Sequence, residues 1–338
     1  MRKVAVISAV LLAAMCALTG CKKEEVEMAI APLVADEQTT EETEVAQEES
    51  DPVIPEIDTS VEIQPGARIA VVSKSTSGEF WNQVKKGMEQ AVADVNEAYG
   101  FSKADQITMT FEGASDMDSC QAQLEAAKEN GIPVIVFDSG VSDTKLVRAF
   151  RGTDNKKVGE IAAYRLATSI GKMGKVAVFS AQEKTQSIQE RVDGFTKYIA
   201  NYPDIEVVEV IYQDQVEDMT AAMQEVLDKY PQLEGVFCTN ADISEMYLNM
   251  KKDETRDAVV MVGVDGTSKQ QDAVRNGEEL GFVSQQPYAM GYQTAYTALL
   301  ATAPKKSVKI KKNLRIDPAW VDKNTIDDPS YSAYLYAN

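Results

Sequence analysis

The chain reads NGIPVIVFD over residues 130–138, and this stretch decides the fold class. The amphipathic segment before it, residues 119–130, ends at Gly131, a common helix stop. Residues 133–137 follow at once as a short apolar run, and the run ends at the carboxylate of Asp138. A helix that leads directly into an apolar strand is typical of a parallel sheet covered on both faces.

The same alternation recurs along the chain from Arg68 onward. The strand candidates are residues 69–72, 107–111, 133–137, 175–179, 207–212, 235–238, 259–264 and 281–283. The helix candidates are residues 81–99, 119–130, 158–170, 187–200, 217–229 and 268–276. Repeated strand and helix units predict right-handed crossovers and an α/β fold with doubly wound parallel sheets.

The first residues have the pattern of a secretory signal. Arg2 and Lys3 precede an apolar run that is too short to span a bilayer comfortably, and the run ends at Leu18-Thr19-Gly20-Cys21. This ending resembles a bacterial lipoprotein cleavage box, which implies removal of residues 1–20 and lipidation of Cys21. An uncleaved membrane anchor is the alternative.

Residues 21–66 are predicted to be the lipidated cysteine followed by a disordered acidic linker. The segment contains fourteen Asp and Glu residues and two Lys, so it carries most of the net charge of −19. Like charges repel, and the few apolar side chains cannot offset the entropy of ordering. The rest of the chain is mildly acidic without a basic stripe, so nucleic acid is not an expected partner.

The composition argues against catalysis. The chain has no His, which removes the commonest general base and the commonest zinc ligand. It also lacks a Gly-x-Ser-x-Gly elbow. Cys120 and Cys238 show no metal-ligand spacing and are interpreted as buried thiols, with one disulfide as the alternative. We therefore expect no enzyme, no metal site and no cofactor.

Short polar side chains follow several of the predicted strands. Ligands of doubly wound sheets bind at the carboxyl ends of the strands, where these side chains would gather. The polar set is Asp138, Asn240, Asp242, Asp265 and Gln285, and the aromatic pair Phe80 and Trp81 opens the first helix. Acceptors for hydroxyl groups beside aromatic faces suit a polar uncharged ligand. Simple loop and helix-cap roles are the alternative.

Taken in order, the motifs of this chain resemble those of type I periplasmic sugar-binding proteins of the ribose and galactose group. The resemblance covers about residues 68–315 and rests on residues 69–73 with 80–81, 130–138, 152–155 with 159, 190–195, 236–240, 262–267 and 285–287. It implies two doubly wound lobes joined by a three-strand hinge. The implied amino-terminal lobe is residues 67–151 plus 286–314, and the implied carboxyl-terminal lobe is residues 152–285 plus 315–338.

The resemblance also implies one more strand and one more helix just before Asp116, about thirty residues in all. In the family this strand lies centrally, between the first strand and the strand that ends at Asp138. The amino-terminal lobe is therefore expected to lack one strand and one helix. Either the sheet is shortened and the cleft floor altered, or the sequence carries an internal deletion.

The resemblance assigns roles to the candidate site residues. Phe80 and Trp81 would stack on a sugar ring, and the strand-end polar set would bind its hydroxyls. Gln189 stands where the family commonly has a sugar-binding arginine, and we include it among the expected ligand-binding residues. Arg191 matches a family arginine and is interpreted as structural, pairing within its lobe rather than touching the ligand.

The expected protein is therefore a monomeric, lipid-anchored solute receptor on the outer face of the cytoplasmic membrane. It would capture a sugar or sugar-like polyol between its lobes and deliver it to the permease subunits of an ABC importer. The alternative is a sensory receptor that presents ligand to a chemotaxis or histidine-kinase partner, and the sequence does not separate the two.

Overall fold

The computed structural model describes residues 54–114, 117–141, 144–250, 258–304 and 308–336, together with the backbone of residues 3–7. For residues 117–121 it describes the helical backbone alone. The predicted lipidation site Cys21 and most of the predicted linker lie outside the described residues, as does the side chain of Cys120. Cys238 is a buried thiol.

Strands and helices alternate through the described residues. The strands are β1 (Lys3–Ile7), β2 (Arg68–Ser73), β3 (Thr108–Gly113), β4 (Val134–Phe137), β5 (Val147–Thr153), β6 (Gly174–Ser180), β7 (Ile205–Tyr212), β8 (Leu233–Cys238), β9 (Val260–Val264), β10 (Gly281–Ser284), β11 (Asn313–Ile316) and β12 (Ala319–Asp322). The α-helices are α1 (Glu79–Ala98), α2 (Met117–Glu129), α3 (Asn155–Ser169), α4 (Gln186–Ile199), α5 (Met219–Lys229), α6 (Ala241–Asn249), α7 (Ser268–Asn276) and α8 (Pro287–Leu300).

The strands form two six-stranded sheets, one in each lobe. The first lobe has the order β11-β5-β4-β1-β2-β3, and α1, α2 and α8 contact its sheet. The second lobe has the order β12-β10-β9-β8-β6-β7, and α3 to α7 contact its sheet. Every strand pair is parallel except β10 with β12. The prediction of doubly wound parallel lobes is confirmed.

Glycines allow the closest helix contacts in both lobes. A Cβ on Gly87 of α1 would lie 1.9 Å from the carbonyl oxygen of Tyr288, and one on Gly291 of α8 would lie 2.0 Å from that of Val84. In the second lobe, a Cβ on Gly159 of α3 would lie 2.1 Å from the carbonyl oxygen of Arg191, and one on Gly194 of α4 would lie 2.2 Å from that of Lys156. Among the described residues, each lobe thus contains a helix pair whose backbones are in direct contact.

The central strand of the first lobe comes from the predicted signal segment. β1 pairs in parallel with β2 along its five residues and with β4 at three of them. Val6 lies level with Val71 on one side and Ile135 on the other. The position that the sequence left without a strand is therefore filled by Lys3–Ile7. No additional helix lies between β3 and α2 among the described residues.

The predicted linker is shorter than expected, because residues 54–66 pack on the first lobe. Val61 and Ile63 are buried in the core beside α1 and α8. The Tyr99 hydroxyl donates to the Val61 carbonyl oxygen at 2.5 Å, and the Asp58 N–H donates to the Tyr296 hydroxyl at 2.9 Å. Apolar side chains late in the acidic segment thus bring it onto the folded body.

The chain crosses between the lobes after β5, after β10 and after β11. After the third crossing, β12 joins the second sheet, and the remaining tail (residues 323–336) includes a 3₁₀ turn at Pro329–Tyr334. No helix of the described residues is long and apolar enough to span a bilayer.

Candidate ligand-binding cleft

The carboxyl ends of strands from both sheets face each other across a cleft of about 600 Å³. This is within the range of volumes that hold small ligands. Seven of the eight predicted ligand-binding residues line it, namely Phe80, Trp81, Asp138, Asn240, Asp242, Asp265 and Gln285. The residues that line the cleft come from both lobes and from the hinge. Their positions after the ends of strands predicted this arrangement.

Two aspartates occupy equivalent positions in the two lobes. Asp138 follows β4 and Asp265 follows β9, and both have a positive φ, 64° and 95°. The Asp138 N–H donates to the Arg151 carbonyl oxygen at 3.0 Å, and the Asp265 N–H donates to that of Val283 at 3.1 Å. A left-handed backbone is uncommon outside glycine, and such positions concentrate at functional sites. Each lobe thus ends a central strand with a carboxylate held at the cleft.

The Asp138 carboxyl is shielded from water but lies near positive charge. Burial raises the pKa of Asp138, while the charges of Lys74 and Arg191 oppose that increase. The Ser139 hydroxyl donates to Asp138 Oδ2 at 3.2 Å. A desolvated carboxylate beside two cations is a strong acceptor for a ligand hydroxyl.

Asp265 is fixed by three protein donors. Its Oδ2 accepts from the Ala241 N–H at 2.7 Å, and its Oδ1 accepts from Gln285 Nε2 at 2.6 Å and from the Tyr336 hydroxyl at 3.1 Å. Gln285 Oε1 in turn accepts from the Thr153 hydroxyl at 2.7 Å. Since Thr153 and Gln285 lie where the chain crosses between the lobes, the hinge and the Asp265 carboxylate share one hydrogen-bond network.

The aromatic pair lies at the start of α1, on the first-lobe side of the cleft. The rings of Phe80 and Trp81 are 5.1 Å apart and nearly perpendicular, at 89°. Trp81 also packs edge-on against Phe137 at 6.4 Å. This packing leaves little freedom to the rings, and a rigid aromatic wall suits the C–H face of a sugar.

The structure does not bring Gln189 into the cleft. Gln189 is exposed on the outer face of α4, whereas Ile188 and Arg191 lie on the face that lines the cleft. Arg191 is 3% exposed, and its Nε donates to Asn155 Oδ1 at 2.8 Å while its Nη1 donates to the Thr239 carbonyl oxygen at 2.7 Å. The arginine therefore makes the bonds within its lobe that were predicted for it, but it also lines the cleft, which the structural interpretation did not expect.

Several cleft residues were missed by the sequence analysis. They are Lys74, Ser75, Ser77, Glu79, Thr185, Ser187, Glu245 and Thr267. Most lie in loops or first helical turns, where polar residues are common and carry no distinguishing pattern. Altogether five carboxylates and two cationic side chains line the cleft, which disfavours an anionic ligand.

The two lobes contact each other beside the cleft. Glu79 of α1 accepts from the N–H of Ser268 at 2.8 Å and from its hydroxyl at 2.6 Å, so a first-lobe carboxylate caps the amino terminus of α7. The hydroxyls of Ser139 and Ser187 are 2.9 Å apart across the same boundary. These contacts link the lobes through polar groups that can separate and re-form.

Comparison with known proteins identifies the family. Residues 113–306 match the periplasmic binding protein domain family. The chain belongs to this family. Periplasmic binding proteins bind solutes, which confirms the prediction that the chain is not an enzyme. No group of metal-ligating side chains suited to a metal ion occurs within the residues that the structure describes.

Relatives of this periplasmic binding protein include sugar-binding proteins. The ribose import binding protein RbsB of Bacillus subtilis (strain 168) is 23% identical over 214 residues, which cover 61% of this chain and 69% of the relative. The namesake of Escherichia coli (strain K12) is 25% identical, and the match spans 62% of its length. The D-allose-binding periplasmic protein of the same strain is 24% identical over 283 residues, 75% of this chain and 87% of the relative.

A solved structure agrees with this assignment. The solute binding protein of an ABC transporter from Agrobacterium vitis, determined with bound D-fucose, superposes with a TM-score of 0.69 at 28% identity. The match covers 80% of this chain and all of that one. The type I periplasmic binding protein fold, predicted from the order of the motifs, is thereby confirmed.

Proposed function

We propose that this periplasmic binding protein captures a monosaccharide or a sugar-like polyol in the cleft between its lobes. One observation carries the proposal. The equivalent carboxylates Asp138 and Asp265 point into one cavity from opposite lobes, beside the aromatic wall of Phe80 and Trp81. A ligand with hydroxyls on several carbons and an apolar C–H face satisfies both kinds of surface at once.

The binding mechanism requires no covalent step. Hydroxyls of the ligand donate to Asp138 and Asp265, while Lys74 and Arg191 donate to its oxygens. These direct hydrogen bonds replace the water around the sugar as the lobes close. The sugars bound by the relatives, namely ribose, D-allose and D-fucose, support a neutral sugar as the ligand class.

Isothermal titration with aldopentoses, aldohexoses, ketohexoses and pentitols tests the proposal. Trp320 lies in β12 outside the cleft, so Trp320→Phe leaves Trp81 as the single tryptophan and as a fluorescent reporter of binding. We expect micromolar or tighter binding of at least one sugar and a loss of more than about tenfold in Trp81→Ala. Trp320→Phe is the matched control and should bind as the wild type does. No binding to any sugar, with no change in X-ray scattering, would contradict the proposal.

We further propose that the protein acts as a monomer, lipid-anchored at Cys21 on the outer face of the cytoplasmic membrane, and delivers its ligand to an ABC permease. The anchor would raise the local concentration of the receptor at the permease. Cleavage before Cys21 would remove Lys3–Ile7, which form β1, so anchoring at Cys21 requires that the first lobe rearrange to complete its sheet without β1. Radiolabelled palmitate tests the modification, with Cys21→Ala as the control.

The recipient of the ligand is tested by reconstitution. Sugar-dependent ATP hydrolysis by permease vesicles, stimulated by the wild type and lost in Trp81→Ala, would support delivery to an importer. Stimulation of a histidine kinase or a chemoreceptor without stimulation of the permease would instead favour the sensory function.

A further inference from the structure

Tyr336, in the carboxyl-terminal tail, lies between the two lobes. The Tyr336 N–H donates to the carbonyl oxygen of Gly266 in the second lobe at 3.0 Å. Its own carbonyl oxygen accepts from Nε2 of Gln83, on α1 of the first lobe, at 2.8 Å. Tyr336 is 2% exposed, and Gln83 is 7% exposed. The last described residue of the tail is thus bound by its backbone to both lobes.

The side chain of Tyr336 reaches the ligand site from behind. Its hydroxyl donates to Asp265 Oδ1 at 3.1 Å and accepts from the Gln285 N–H at 3.3 Å. Its ring lies 6.0 Å from that of Phe80 in the aromatic wall. Burial, together with the charge of Asp265, raises the pKa of Tyr336 well above its usual value, so the hydroxyl keeps its proton and remains a donor.

We propose that Tyr336 is a positioning residue that fixes the Asp265 carboxylate and thereby sets the selectivity of the cleft for one ligand hydroxyl. The inference rests on the proposed sugar-binding function, and it gives a role in that function to a residue that does not line the cleft. Tyr336 acts through Asp265 and need not touch the ligand.

The physical reason lies in the way the donors are divided. Asp265 Oδ2 accepts a hydrogen bond from the Ala241 N–H, while Asp265 Oδ1 accepts from Gln285 Nε2 and from the Tyr336 hydroxyl. Loss of the hydroxyl removes one of the two donors at Oδ1 and also leaves the buried Gln285 N–H without its acceptor. The carboxylate then gains torsional freedom, and a small misplacement of a polar group is costly in a preorganised site.

Tyr336→Phe is the test, because it keeps the ring and its packing and removes only the hydroxyl. Tyr334→Phe is the matched control, with the same chemical change two residues away in the tail. We expect Tyr336→Phe to weaken the tightest-binding sugar about tenfold, as the loss of a hydrogen bond to a charged group predicts, and Tyr334→Phe to leave its affinity unchanged.

Monodeoxy analogues separate positioning from a general loss of stability. One analogue should bind equally well to the wild type and to Asp265→Asn. The hydroxyl that this analogue lacks is the one that donates a hydrogen bond to Asp265. The effect of Tyr336→Phe should vanish for that analogue and persist for the others. An equal loss for every analogue, or the same loss in Tyr334→Phe, would overturn the inference.

Amide hydrogen exchange in the ligand-free protein gives a readout that does not depend on the identity of the sugar. The Gln285 and Ala241 amides should exchange faster in Tyr336→Phe than in Tyr334→Phe, since one loses its acceptor and the other donates to the loosened carboxylate. Unchanged exchange at both amides would overturn the inference. If the wild type binds no sugar, the proposed function fails, and faster exchange would still support the positioning of Asp265 by Tyr336.

Discussion

The position of β1 leads to a prediction about the stability of the first lobe. The strand lies in the middle of the sheet, with β2 on one side and β4 on the other. Val6→Pro removes an N–H and imposes a proline ring at the residue that lies level with both Val71 and Ile135. Proline is excluded from central strands for these reasons, so the substitution should expel the segment from the sheet.

The size of the effect follows from the pairing. β1 shares five residue pairs with β2 and three with β4, which corresponds to roughly eight backbone hydrogen bonds. At about 0.5–1.5 kcal/mol net for each, the strand contributes about 4–12 kcal/mol. A whole domain is stable by only about 5–15 kcal/mol. The first lobe should therefore unfold or rearrange when β1 is lost, while the second lobe keeps its sheet.

The two tryptophans make the lobes separately visible in urea unfolding. Trp81 packs in the first lobe and Trp320 in the second. The protein is made at full length in the cytoplasm, without export. In the Trp320→Phe background, Val6→Pro should move the Trp81 transition to a lower urea concentration. In the Trp81→Phe background, it should leave the Trp320 transition in place. Val10→Pro, beyond the end of β1, is the control. An unchanged Trp81 transition in Val6→Pro would refute a structural role for β1.

The same measurement applies to a chain that begins at Cys21. It should show the weakened first lobe, and a peptide of residues 2–8 should restore the Trp81 transition. If the shortened chain is as stable as the full chain, the lobe forms its sheet without β1.

Three further outcomes follow from single contacts. Gly159→Ala would place a Cβ 2.1 Å from the Arg191 carbonyl oxygen, so the second lobe should lose about 1–3 kcal/mol of unfolding free energy in urea. Burial raises the pKa of Glu279 well above its ordinary 4.5, so above about pH 4.5 the unfolded state loses this proton first and the free energy of unfolding falls as the pH rises. Glu279→Gln should abolish this decline in urea unfolding measured across a pH series. Glu79→Ala removes both bonds to Ser268 and should weaken sugar binding about three- to tenfold and enlarge the radius of gyration.

Each of these changes has a control at an exposed residue of the same lobe. Lys156→Ala on α3 should leave the urea transition of the second lobe in place. Glu225→Gln on α5 should keep the pH dependence of the wild type. Glu89→Ala on α1 should change neither affinity nor radius of gyration. Effects of equal size in the controls would show that the named contacts are not the cause.

Most of the cleft was predictable because the topology of a parallel sheet brings the residues that follow its strands together, whatever their side-chain contacts are. Once the strands that end at Phe137, Cys238 and Val264 are known to be parallel, the polar residues after them must lie at the carboxyl edges of their sheets. Asp138, Asn240 and Asp265 were found in this way. The fold followed from the same apolar runs, whose near-continuous hydrophobicity is typical of buried parallel strands.

The features that the sequence did not predict depend on the rotation of a helix, on contacts between residues far apart in sequence, or on which strands pair. A linear pattern of residues does not contain this information. Gln189 and Arg191 are two residues apart on one helix, and only the rotation of α4 against its sheet decides which of them lines the cleft. Tyr336 reaches Asp265 over a separation of 71 residues. The apolar run that contains β1 is equally typical of a signal and of a buried strand, so hydrophobicity alone does not separate the two.

The packing of residues 54–66 on the first lobe has a mechanical consequence. Any anchor upstream of these residues pulls on the first lobe alone, since Val61 and Ile63 are buried there beside α1 and α8. With the chain held in this way, the second lobe would be the part that turns about the three crossing segments. A permease or sensor would meet the first lobe in a constrained orientation and would register ligand through the swing of the second.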